Sequence, residues 1–146
     1  MTYQLVDGHL PLELRGIFKP WAIEVGHSKI LLRGFLDGEE GGVPRIFDVL
    51  FQDVSRISLA DQYSGLSVSD AGPDVLRTEE RRARRRWRES KLFRVSEDNP
   101  LDYIVAGYIF WAEVFILATE PSPLMQESPS SDAIKGGKVF RVRADQ

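Results

Sequence analysis

The densest chemistry in this chain of 146 residues is a run of arginines. Residues 77–88 hold Arg77, Arg81, Arg82, Arg84, Arg85, Arg86 and Arg88 against two acids, Glu79 and Glu80, a local charge of +5. The other 12 basic and 20 acidic residues put the rest of the chain at −8 and the whole at −3. Arg81, Arg84, Arg85 and Arg88 recur at i, i+3, i+4 and i+7, which places them on one face of a helix. A row of guanidinium groups can fork onto carboxylate or phosphate oxygens, and each neutralised nucleic-acid phosphate releases counterions. Arginine rather than lysine favours forked recognition and stacking. These four arginines, with Trp87 as a stacking ring if it is exposed, are the candidate binding residues. The partners that fit are an acidic protein surface, a second copy of this acidic chain, or nucleic acid. A pI near 5.4 weighs against nucleic acid. So does the lack of an RNP aromatic pattern, a GXXG clamp or zinc-finger spacing. The competing use of such a run is a solvated face, with Glu80 pairing Arg84 and Glu89 pairing Arg85 as helix neighbours.

Catalytic spacing is missing elsewhere. The chain has no cysteine, which excludes disulfides, thiolate zinc sites and a cysteine nucleophile. His9 and His27 stand apart beside turn glycines and have no HExxH-type spacing, so no metal site is expected. No serine lies in a GxSxG elbow. Glu39-Glu40 and Glu79-Glu80 are adjacent pairs that do not converge on one substrate. Gly136-Gly137-Lys138 lacks the rest of a phosphate loop and reads as a turn before a last strand. Glu113 differs, because it sits in the most apolar stretch. A buried carboxylate must be paired or carry a raised pKa. It reads as an outward strand position, as a partner for an arginine such as Arg33 or Arg94, or as the acid of an unrecognised enzyme site. No cofactor is implied. The preferred reading is a non-catalytic protein-binding domain, followed by nucleic-acid binding and then by an enzyme centred near Glu113.

The elements that must position these residues are mostly strands. Residues 12–18 read as a short strand interrupted by Pro20. Trp21, Ile23 and Val25 alternate with Ala22 and Glu24, as in a half-buried strand. The turn residues 26–29 then lead into the apolar run 30–36, which makes a β-hairpin. Residues 37–42, DGEEGG, read as an exposed turn. Phe47, Val49 and Phe51 alternate again in a strand that continues beyond a bend near Asp53 to Ile57 and Leu59, and 63–68 reads as a further short strand. A helix is expected from an N-cap at Asp74 to near Ser90, with Leu76, Ala83 and Trp87 as its apolar stripe. Strands follow at 92–95 and 103–119, the latter bulged or bent near Gly107, or divided into two strands by a tight corner, with its even positions on the core side. A strand at 138–144 closes the chain, with Phe140 and Val142 on one face. These expectations add up to an α+β fold of seven to nine strands. It is predominantly antiparallel β, a meander, open barrel or sandwich, with one Arg-rich amphipathic helix across it.

At 42% hydrophobic and 28% charged, the composition is too apolar for disorder and too charged for a membrane protein. The apolar run 104–118 is interrupted by Glu113 and is shorter than the roughly 20 residues of a membrane span. The opening MTYQLVDGHL has no basic start and no apolar segment, so it does not read as a secretory signal. The expectation is one cytoplasmic domain over 1–146 with no membrane partner. Residues 121–133, rich in proline and serine, read as a flexible loop.

Overall fold

The computed structural model describes residues 3–40, 43–127 and 129–145. Its strands are β1 (Gln4–Asp7), β2 (Leu12–Glu24), β3 (Lys29–Glu40), β4 (Val43–Gln52), β5 (Arg56–Ser58), β6 (Tyr63–Asp70), β7 (Lys91–Arg94), β8 (Tyr103–Ala106), β9 (Tyr108–Val114) and β10 (Lys138–Arg143). One α-helix, α1 (Pro73–Ala83), lies between β6 and β7. The fold is α+β and mostly antiparallel; among the described residues the one parallel pair is β1 with β10. No described helix is long and apolar enough to cross a membrane.

The ladders form a closed ring. β2 pairs with β3, β3 with β4, and β4 with β9. β8 is the continuation of β9 through Gly107, and it pairs with β7, which pairs with β6, which returns to β2. The result is a six-stranded barrel carrying β10 and β1 as an extension beside β9. Both members of one strand pair bend at the same place. The β4 chain turns at Asp53, which has a left-handed φ of 55°, before continuing as β5. Its partner turns at Gly107, where an added Cβ would lie 3.2 Å from the Asp53 Cβ. The Gly107 amide donates to Gln52 O (3.1 Å) and the Ser55 amide to Val105 O (2.8 Å), so the ladder survives the bend.

This bend changes which residues face inward. In β8 the barrel core takes the even positions Ile104 and Ala106, but in β9 it takes Ile109 and Trp111. Even positions were expected on the core side throughout, and Gly107 reverses that phase. The other face is not wet either, because Tyr103 and Val105 on one side of the bend, and Ala112 and Val114 on the other, are buried under outer covers. The barrel core is completed by Phe18, Ile30, Leu32, Val49, Phe51, Leu66, Val68 and Phe93, so all six ring strands contribute.

Three boundaries differ from the sequence reading. Pro20 does not split β2, because the ladder absorbs one extra residue between Pro20 and Ala22 as a bulge. The DGEEGG stretch is not all turn, since β3 runs to Glu40 and β4 restarts at Val43. Residues 41–42, and the side chains of Asp37, Glu39 and Glu40, lie outside what the structure describes. β1 carries no alternation to mark it and exists through its parallel pairing with β10.

The outer face has two covers. α1 lays Val75, Leu76 and Ala83 over Leu92, Tyr103 and Val105, with Trp87 beside them. Residues 115–127 and 129–137 fold back as a strap whose 3-10 turns include Pro123–Met125 and Ser131–Ala133. There Ile134 joins Ile46, Ala112, Val114 and Val139 in a second apolar cluster. The Phe115 amide donates to Ala133 O (2.8 Å), tying the two ends of the strap together.

Under the strap lies a fully buried ion pair. Arg33 and Asp48, opposite each other on β3 and β4, both have 0% exposure. Arg33 Nε donates to Asp48 Oδ1 (2.8 Å) and Nη2 to Oδ2 (2.9 Å). Arg33 Nη1 donates to Ala118 O (2.9 Å) and Glu120 O (2.8 Å), which pins the strap, and the Trp21 ring packs over the guanidinium. Truncating one partner of such a pair strands a buried charge. Arg33→Ala is expected to lose about 3–5 kcal/mol of unfolding free energy, while Arg33→Met with Asp48→Leu recovers most of it. Urea denaturation of the three proteins checks this, and a single variant as stable as the parent would show that the pair does not hold the strap.

Candidate functional site

The arginine segment is built on α1, and α1 is shorter than its periodicity suggests. It begins at Pro73, a residue suited to the first helical position, rather than from a cap at Asp74. It ends at Ala83 rather than near Ser90. Arg84 turns left-handed (φ 55°, ψ 44°). The Arg84 amide donates to Arg81 O (3.3 Å) and the Arg85 amide to Glu80 O (3.0 Å), the paired bonds of a Schellman ending. This αL turn on a non-glycine residue is what the sequence reading missed, since no glycine marks it.

Two glutamates and a tryptophan hold the segment to the barrel. Tyr103 Oη donates to Glu79 Oε2 (2.9 Å) and accepts from Arg56 Nε (3.0 Å). The Trp87 amide donates to Glu80 Oε2 (2.7 Å). The Trp87 ring is 5% exposed and sits among Leu92, Tyr103 and Val105, with the Arg56 guanidinium over it. Leu76, Ala83 and Trp87 do reach the same apolar cluster, as their spacing implies, although Trp87 arrives from beyond the helix. The ring is closed to a nucleobase, so Trp87 acts as an anchor and the conditional stacking role falls away.

The four candidate arginines do not share a helix face. Arg81 lies in the last turn of α1, and Arg84 and Arg85 lie on the turn that ends it. These three line one open cavity of about 510 Å³ together with Arg77, Arg86 and Glu80. Arg88 is parted from them, in a separate hollow beside Asp53, Glu89 and Asp145. The turn thus brings in Arg77 and Arg86, which helical spacing alone did not select. Arg84, Arg85, Arg86 and Arg88 are all exposed, and none has an ion pair or side-chain hydrogen bond among the described residues. The pairings expected from helix spacing, Glu80 with Arg84 and Glu89 with Arg85, do not form. Glu80 is engaged by Trp87, and Glu89 sits past the helix with a left-handed φ of 60°. The arrangement is therefore a cup of guanidinium groups able to take several carboxylate or phosphate oxygens at once.

Glu113 is paired with an arginine, as expected, but that arginine is Arg45 and not Arg33 or Arg94. Arg45 forks onto it (Nη2 to Oε1 2.7 Å, Nε to Oε2 3.2 Å), and Lys135 lies 3.5 Å away. Hydrogen bonds from Arg45 hold its carboxyl below the ordinary value, against the opposing effect of burial, and Lys135 adds to the pull. A carboxyl so held does not have the raised pKa of a general acid. The adjoining hollow of about 350 Å³ has Phe115 and Leu117 in its wall. His9 is exposed, and the His27 side chain lies outside the described residues. Among the described residues no three His, Asp or Glu side chains group as metal ligands.

Comparison of the chain with protein-family models, with curated proteins and with solved structures finds no match.

Because the folded pKa of Glu113 is depressed, its contribution to stability is present above the unfolded value of 4.5 and is lost as the pH falls through the folded value. Glu113→Gln is expected to be less stable than the parent at neutral pH, with a narrower gap at an acidic pH below the unfolded value. Urea unfolding at the two pH values tests this; a gap that stayed constant would mean the charge on Glu113 contributes nothing.

Proposed function

We propose that the chain is a non-catalytic binding protein that receives an acidic protein surface on its arginine turn. The observation that carries this reading is that Arg84, Arg85 and Arg86, around one open cavity, have no ion pair among the described residues of a chain that has 22 acidic residues. Isolated surface charges contribute little each, so a partner gains affinity here by engaging several guanidinium groups together. Arginine is also enriched where proteins meet. The buried Trp87 offers no platform for a base, which favours a carboxylate-bearing protein over nucleic acid. A second copy of this chain is one such partner.

The test is fluorescence anisotropy of a labelled polyglutamate peptide and of single- and double-stranded oligonucleotides across a salt series. The parent is compared with a variant carrying Arg84→Ser, Arg85→Ser and Arg86→Ser. Salt-sensitive polyglutamate binding is expected in the parent and none in the variant. Tighter binding of an oligonucleotide at the same salt would transfer the site to nucleic acid. No binding of any polyanion at low salt would end the reading.

A further inference from the structure

The arginines are more than a set of charges, because the backbone that carries them is held in place. Free basic segments are mobile and adapt to whatever acid they meet. Here the segment is fixed at both ends. At one end the Schellman bonds from the Arg84 and Arg85 amides close the helix. At the other end Trp87 is buried in the cluster under α1. Between them the Glu80 carboxylate reaches forward seven residues to the Trp87 amide at 2.7 Å. That bond spans the turn from base to base. Arg84, meanwhile, keeps a left-handed conformation that costs a non-glycine residue energy and persists only when its surroundings over-determine it.

Resting on the binding role just proposed, we infer that Glu80 is a positioning residue. Its carboxylate, bonded to the Trp87 amide, fixes Arg84, Arg85 and Arg86 in one arrangement, so the turn is a preformed receptor for a compact cluster of carboxylates. A partner that presents such a cluster loses little conformational freedom on the receptor side when it docks. A long, flexible acidic tail gains no such advantage, since it can follow mobile arginines equally well.

This inference makes a prediction opposite in sign to simple electrostatics. Glu80 is the one carboxylate among the described residues that line the cavity. Removing it makes the cavity more positive, and charge alone would then tighten anion binding. Positioning predicts the reverse for Glu80→Ala, which has no group to hold the Trp87 amide. Glu80→Gln removes the same charge but keeps an oxygen that can accept from that amide.

The experiment is calorimetric titration with citrate, a compact tricarboxylate, at constant ionic strength, alongside the polyglutamate assay. Glu80→Ala is expected to bind citrate about fivefold more weakly than the parent, the scale of one lost hydrogen bond. Glu80→Gln is expected to bind at least as well as the parent. Thermal unfolding of each variant shows whether it remains folded. A second variant, with two glycines inserted between Arg86 and Trp87, leaves every charge in place while freeing the arginines from their anchor, and it too is expected to weaken citrate binding. Tighter citrate binding by a folded Glu80→Ala, or an unchanged affinity in the insertion variant, overturns the inference. A parent that binds polyglutamate but not citrate also overturns it and leaves the binding role standing. A parent that binds neither removes the binding role itself.

Discussion

One bend governs this molecule. At Asp53 and Gly107 two paired strands turn together, so that β4 continues as β5 and β8 continues as β9 without losing their ladder. Asp53 adopts a left-handed conformation there, and Gly107 leaves room for it. Because the bent chain pairs with β4 on one side of the bend and with β7 on the other, the sheet returns to β2 and closes. Closure removes the open edges of the ring strands. It also creates a demand, since the faces turned outward at β7–β8 and at β4–β9–β10 carry large apolar residues that a barrel does not cover by itself. The helix and the strap answer that demand. The position of the arginine turn follows from it, because α1 must lie over Tyr103 and Val105 and the chain must then return to β7 past Trp87.

Arginine is used in three physically different ways in this fold. Arg33 is wholly buried, and it is tolerable there because Asp48 neutralises it and strap carbonyls accept its other donors. Arg45, partly exposed on β4, fixes the charge on Glu113, which keeps a carboxylate ionised in an otherwise apolar stretch. Arg84, Arg85 and Arg86 have no such partner among the described residues. The contrast is informative because acids are plentiful in the chain. Glu79 and Glu80 lie within the same segment, yet one is taken by Tyr103 and the other by the Trp87 amide. Glu79 also pairs with Arg82 (3.4 Å), so the local acids shape the segment while leaving Arg84, Arg85 and Arg86 without a partner among the described residues.

Much of the scaffold was legible. The 21–36 hairpin is formed by β2 and β3, the bend at Gly107 divides β8 from β9, and the turn at Gly136-Gly137 precedes β10. These features depend on period-2 alternation and on residues whose backbone preferences are strong, and both signals are local. The misreadings share a different origin. Alternation alone gives residues 103–114 a single phase, but the reversal at Gly107 is set by pairing with two different strands. Apolar spacing that continues to Trp87 suggests a helix to near Ser90, but that residue reaches the same cluster from a turn. β1 was invisible because four residues with no alternation become a strand when β10 lies alongside.

The sequence by itself determined the α+β, mainly antiparallel class, the place of the helix between two groups of strands, and the concentration of positive charge on residues 77–88. Those properties are sums over near neighbours in the chain, where propensity, periodicity and charge act without reference to distant residues. The tertiary structure decided which arginines meet, because the left-handed Arg84 gathers Arg77, Arg81, Arg84, Arg85 and Arg86 and sends Arg88 elsewhere. It also decided the partners of Arg33 and Glu113, which lie 15 and 68 residues away from them. Contacts at such separations are fixed by strand register and packing around the closed barrel, and no local pattern encodes either one.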